Sequence, residues 1–307
     1  MRTMSKGAQP AHRSVWSGLT TADADRAHVG ILGIPYDGAS SFRKGSSEAP
    51  SRIRSLTPHV APFTEDGTPL AGLRVHDAGD APIGASWDEI NDSILDAAAK
   101  VLDHPFALFL GGDHAVTIPT AAAAARAIGG SMGLFHLDAH LDLMNTFEGR
   151  AWSHACTARR VMGLPGVSPE TSVFVGIRSW LGEEVDYLAQ HPETGVFTAR
   201  DVARRGTVAI ADAVCTRLDG VDGVYVTLDI DVLDPAFAPG TGTPEAGGLT
   251  TRDLLDLLRV AFERLPIRAL DLVEVSPRLD HADITSFAAI KVIYEAFGWV
   301  VARVNHH

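Results

Sequence analysis

The chain has 307 residues, 46% of them hydrophobic, which suffices for a large core in one α/β domain or two smaller ones. A formal net charge of −12 argues against nucleic acid or an anionic membrane as partner, since both need clustered Lys and Arg. The polar opening stretch has no apolar signal-peptide segment, and no run approaches the roughly 20 apolar residues of a membrane helix.

Residues 1–26 read as a loosely held N-terminal arm, and 27–307 as one catalytic domain. "HVGILGIPYD" (28–37) has the look of a short buried strand ending in a Gly-Pro turn. "EAPSRIRSL" (48–56) follows as a helix with Pro50 in its first turn. "SWDEINDSILDAAAKVLDH" (86–104) pairs a serine cap with helical spacing. A regular alternation then sets in. Strands are expected at 106–110, 132–137, 172–177, 222–228 and 267–275, and helices at 117–130, 250–265 and 284–304. Strands that are apolar throughout, alternating with helices, specify a parallel sheet covered on both faces, a three-layer α/β/α fold. Cys156 and Cys215 stand in no zinc or redox spacing and suit small buried hydrophobes in a reducing compartment. The expected location is therefore the cytoplasm.

Three of these strands end in polar residues of one kind. "FHLDAHLDL" (135–143) places Asp138, His140 and Asp142 at every second position, which on an extended chain puts them on one side. "DGVYVTL" runs into Asp229-Ile-Asp231, and "FALFL" into Gly111-Gly112-Asp113-His114. Ligands in open α/β sheets bind beyond the carboxyl ends of the strands. Four carboxylates gathered there would repel one another and pay for desolvation. Two divalent ions cancel those four charges. Oxygen-rich ligation with some imidazole and no thiolate suits Mn²⁺ better than structural Zn²⁺, with Co²⁺, Ni²⁺ and Fe²⁺ as competitors. Asp113, facing the other way on an extended chain, is a candidate partner for a ligand histidine.

"GGDHAV" (111–116), "DAHLD" (138–142), "SHACT" (153–157), "DIDVLDPAFAPGTGTPEAGGLT" (229–250) and "EVSPRLD" (274–280) resemble the ureohydrolases, the arginase and agmatinase family. "GIPYDGASSFRKG" (33–45) is similar to the agmatinase-type N-terminal signature. The resemblance implies a parallel sheet of about eight strands and two Mn²⁺ per chain. It implies His114, Asp138, Asp142 and Asp231 on one metal, and His140, Asp138, Asp229 and Asp231 on the other. It makes His154 the mobile catalytic histidine, Glu274 the glutamate facing the guanidinium, and Thr243 a threonine beside that glutamate. It also implies a homo-oligomer, a trimer or hexamer. Two departures stand out: Ala115 follows His114 where the family more often has Ser, and Ala155-Cys156 follows His154 where agmatinases often have Gly-Thr.

The implied reaction is hydrolysis of a guanidino compound to urea and an amine. A guanidinium is a poor electrophile, so hydroxide generated by the metals is needed at neutral pH. Asp142 would accept a hydrogen bond from that nucleophile, His154 would move a proton to or from the leaving amine, and Glu274 would pair with the cation. Agmatine, giving putrescine, leads the substrate classes. Arginases hold the amino-acid head with a Ser-Gly-Asn loop, and "LMNTFEGRAWS" (143–153) has only Asn145 as a partial match. In that loop Glu148 is a candidate partner for the amine of agmatine, and Arg150 for the carboxylate of 4-guanidinobutyrate or 3-guanidinopropionate. Arginine and formimidoylglutamate rank after these. The competing classes are an arginase-fold deacetylase with one Zn²⁺, a dinuclear metallophosphatase lacking its later "GNH" motif here, and a non-catalytic binding protein.

Overall fold

A computed structural model describes residues 14–304. Residues 1–13 of the expected arm lie outside the described residues. Among the described residues eight strands are present: β1 (Val29–Gly33), β2 (Val75–Asp80), β3 (Phe106–Leu110), β4 (Met132–Leu137), β5 (Ser172–Ile177), β6 (Gly195–Thr198), β7 (Gly223–Asp229) and β8 (Ile267–Val273). They form one sheet in the order β2-β1-β3-β8-β7-β4-β5-β6, parallel at every pairing. The helices are α1 (Ala49–Leu56), α2 (Trp87–Val101), α3 (Thr117–Ile128), α4 (Thr157–Val161), α5 (Gly182–Gln190), α6 (Ala199–Arg205), α7 (Thr207–Arg217), α8 (Thr251–Arg264) and α9 (Ile284–Val304).

Alternation along each central strand supplies the two core layers. Leu108 and Val226 join the cluster under α7, α8 and α9, whereas Phe109 and Tyr225 join the one under α2 and α3. Six strands fall where the sequence pattern puts them. β2 and β6 escape that pattern because they are the edges, and they keep partly exposed polar residues such as His76, Asp77 and Thr198. Helix α9 is the exception to the expected lack of long apolar helices: it is apolar and long enough to span a membrane, but it packs into the core beneath α8.

The segment 14–26 is held, contrary to the loose arm expected. Trp16 is fully buried, and its Nε1 donates to Asp77 Oδ2 at 2.6 Å. Backbone hydrogen bonds link Thr21 N to Val75 O and Val75 N to Leu19 O, alongside the outer strand β2. Trp16, fully buried, and Leu19, packed against the same core, fasten the segment.

Candidate active site

The four central strands, β3, β8, β7 and β4, deliver the polar residues from their carboxyl ends into one cluster. His114 follows β3, Glu274 follows β8, Asp229 ends β7 with Asp231 just beyond it, and Asp138, His140 and Asp142 follow β4. His114 Nδ1 lies 3.1 Å from Asp138 Oδ2, 3.0 Å from Asp142 Oδ2 and 3.3 Å from Asp229 Oδ2. His140 Nδ1 lies 3.3 Å from Asp138 Oδ1 and 3.1 Å from Asp231 Oδ2. All six residues expected as metal ligands therefore meet.

The strand alternation expected to align them is not what does so. β4 ends at Leu137, before the first of the three. Asp138 Oδ1 accepts the N–H of His140 at 2.6 Å, and Asp229 Oδ1 accepts that of Asp231 at 2.8 Å. The same local turn, an Asp closing on the backbone two residues on, thus presents both pairs. Asp142 then takes a left-handed φ of 55° and Glu274 one of 61°. Such backbones are costly for residues with a Cβ and cluster at functional sites.

The donor set fits divalent cations. One nitrogen cannot satisfy three carboxylates, and His114 Nδ1 and Asp138 Oδ2 are buried without a hydrogen-bond partner among the described residues. Burial, then the charges of Asp231 and Asp138, push the Asp229 carboxyl well above its usual range. Burial, then the charge of Asp138, also raises Asp231. Two groups of potential ligands, His114–His136–Asp138 and Asp138–His140–Asp231, share Asp138. His136 was not anticipated. It is a buried residue inside β4, stacked on His114 with ring centres 5.2 Å apart, and a lone histidine in an apolar strand carries no signal of its own.

Asp113 does not support a ligand histidine as expected. Fully buried, it accepts the N–H groups of Ala39 (2.7 Å), Ser40 (3.0 Å) and Ala115 (3.1 Å), and burial raises its pKa to about 7. Its grip on the loop after β1 has a partner in Gly112, where any Cβ would strike the Tyr36 carbonyl at 1.7 Å. That loop in turn orients His154. The Nδ1 of His154 lies 2.9 Å from Ala39 O, and its Nε2 lies 3.2 Å from Ser41 Oγ. A carbonyl only accepts, so in the neutral ring the proton sits on Nδ1 and Nε2 accepts from Ser41. The His154 hydrogen bonds go to Ala39, Ser41 and Ser153, none to the carboxylates.

A cleft of about 180 Å³ opens over the cluster, lined by His140, Asp142 and His154 together with Ser41, Thr243, Phe147, Ala155, Ser179, Trp180, Leu181 and Glu184. Thr243 also lies with Glu274 in a second recess, and its hydroxyl is 3.5 Å from Asp231 Oδ2. Glu274 Oε1 accepts the His114 N–H at 2.9 Å, and its other oxygen lies beside Gly242. Glu184 was not foreseen, because an acid in a first helical turn reads as an ordinary cap. It is buried and joins two loops by accepting Leu143 N (3.0 Å) and Leu181 N (2.9 Å), and burial raises its pKa to about 7. The two candidates for reading the substrate tail are not brought into the cleft. Arg150 Nη2 lies 3.3 Å from Glu148 Oε2, and Nη1 donates to Gly38 O, so the pair closes on itself. Asn145, exposed, is held by Arg160.

A cluster of carboxylates and imidazoles under a cleft at the carboxyl ends of a parallel sheet agrees with a match of residues 27–298 to the model of the arginase family. The chain belongs to the arginase family. It is 38% identical over 283 residues to an agmatinase of Bacillus anthracis, covering 90% of this chain and 93% of that protein. In structure it is similar to a hypothetical agmatinase from Burkholderia thailandensis, with a TM-score of 0.85 and 32% identity over 95% of this chain and 91% of the other. It is equally similar to proclavaminate amidinohydrolase from Streptomyces clavuligerus, with a TM-score of 0.85 and 33% identity over 94% and 97% of the two chains. The arginase-family chain is a hydrolase acting on guanidino compounds.

Proposed function

We propose that this arginase-family protein hydrolyses agmatine to putrescine and urea, using two Mn²⁺ held by His114, Asp138, His140, Asp142, Asp229 and Asp231. The observation that carries the substrate reading is the cleft lining. It contains carboxylates and the apolar Phe147, Trp180 and Leu181, but no Lys or Arg among the described residues. A guanidino acid would bring its carboxylate to a wall without a cation, whereas the alkyl chain of agmatine meets the apolar Phe147, Trp180 and Leu181. The similarity to agmatinases supports the same reading.

When bound, the two ions would make hydroxide available at neutral pH and offset the carboxylate charge. The residues of the chain do the rest. Glu274, with one oxygen tied to the His114 backbone, keeps the other for the guanidinium. Asp142, held in its left-handed turn, points a carboxylate into the cleft and accepts a proton there. His154, with its Nδ1 proton fixed by Ala39, offers the Nε2 lone pair at the cleft wall to take up a proton from the reacting water and pass it on to the leaving amine. We also propose a homo-oligomer, a trimer or hexamer, and a reducing cytoplasmic location in keeping with two free, buried cysteines.

The test is urea release by Mn²⁺-loaded protein from agmatine, 4-guanidinobutyrate, 3-guanidinopropionate and arginine. Agmatine should give the highest kcat/KM. A higher value for a guanidino acid or for arginine would overturn the reading of the cleft.

A further inference from the structure

Behind the cluster, on the side away from the cleft, lies a polar group that the reaction does not use. Asp271 sits in the middle of β8 and is fully buried. Its Oδ1 is 2.7 Å from Thr227 Oγ1 and 3.3 Å from Leu228 N. Its Oδ2 is 2.7 Å from both Thr117 Oγ1 and Tyr225 OH. Four donors from β7 and α3 thus converge on one carboxylate in the core, where an unpaired charge would be costly.

The chain of hydrogen bonds has a fixed direction. A carboxylate only accepts, so the single hydroxyl proton of Thr227 points at Asp271. Thr117 Oγ1, 3.5 Å away, gives its own proton to Asp271, so the oxygen of Thr227 presents only lone pairs to His114 Nε2, at 2.9 Å. That nitrogen must carry the proton. The lone pair of the neutral ring is left on Nδ1, the atom surrounded by Asp138, Asp142 and Asp229. Thr227 and Asp271 therefore do for His114 what Asp113 was expected to do from the sequence.

We propose that Asp271, acting through Thr227, is the positioning residue that locks His114 in the tautomer with Nδ1 free and so sets the affinity of one metal site. The inference rests on the metal reading of the cluster and adds to it a pair of residues that touch neither metal ligand oxygens nor the cleft. Partners of this kind behind a ligand histidine typically contribute 10–100-fold to metal affinity.

The test compares Mn²⁺ affinity and the number of ions per chain in the full-length protein, measured by competition with a chelator, and pairs these with Tm. Thr227→Val keeps the shape of the side chain and removes the relay. It should weaken one Mn²⁺ site by about 10–100-fold and leave the other unchanged, and Thr227→Ser should restore the affinity. Thr120→Val is the control: the Thr120 hydroxyl meets Tyr225 OH at 2.7 Å and the backbone carbonyls of Val116 and Thr117, but no atom of Asp271, Thr227 or His114, so its loss should lower Tm without weakening either site. If the wild type binds two ions and Thr227→Val binds them equally well while losing Tm, the relay is structural only and the inference falls. If the wild type takes up no divalent ion, the metal reading falls and takes the inference with it.

Discussion

His154 and Glu274 show how single side chains divide the work. His154 is wired to the loop after β1 and not to the carboxylates, so removing its imidazole should leave the metal cluster alone. His154→Asn is expected to keep both ions by elemental analysis while kcat drops by the roughly 10²–10⁴-fold typical of losing a general acid or base. Loss of a metal in that variant would make the residue a ligand. Glu274 differs because its Oε1 also holds the backbone of His114. Glu274→Gln retains the shape and one acceptor but removes the charge facing the substrate. It should cut kcat/KM for agmatine by more than 10²-fold, the scale of a buried charge-assisted contact of about 3 kcal/mol, with metal content unchanged. An unaltered kcat/KM would mean that no cation binds against this carboxylate.

At the scale of elements, the N-terminal segment offers a test independent of catalysis. Trp16 fills a site between α1, β2 and α9, and Asp77 on β2 joins it to Arg54 on α1 at 2.8 Å. Trp16→Ala should cost about 3–5 kcal/mol, the usual price of deleting a fully buried tryptophan, read as a lower midpoint in denaturant. Burial works to raise the Asp77 pKa, but hydrogen bonds from Arg54 and Trp16 outweigh it and hold the carboxyl below its usual value of 3.8. A depressed folded pKa gives stability that is present above the unfolded value and lost as pH falls through the folded one. Asp77→Asn should therefore lower stability at neutral pH and flatten its decline below pH 4; a parallel decline in both proteins would remove Asp77 from the acid transition. The sequence did not reveal this contact because β2 is an edge strand, whose "VHDAGD" has none of the apolar continuity that marks β3, β4, β5 and β7. Helices α5 and α6 escaped for a related reason: they are short and largely polar outside their few buried positions.

Across the whole molecule, the metal cluster was legible because its residues are concentrated at strand ends, where polar groups interrupt apolar runs. What was not legible lies in three dimensions. Asp271 and Thr227 sit inside buried strands and differ from structural polar residues only in what they face. Glu148 and Arg150 stood out as charges in the loop after β4, yet the fold pairs them with each other. The same concentration of charge governs global stability. Several carboxylates enter an interior that would otherwise exclude them, so binding energy for the cations is also folding energy. A chelator-treated protein, dialysed free of metal, should therefore melt at a lower temperature than the loaded one. Each site occupied at about 100 times its Kd adds roughly 2.7 kcal/mol to the folded state. Calorimetry of the metal-free protein with increasing Mn²⁺ should show Tm rising steadily past saturation of the cluster, because stabilisation grows with the logarithm of free metal. Asp231→Ala, which removes a carboxylate from between His140 and the backbone of Ala139, should flatten that rise. An identical Tm with and without Mn²⁺ would show that the fold accommodates these carboxylates without cations, and the two-ion reading would have to be abandoned.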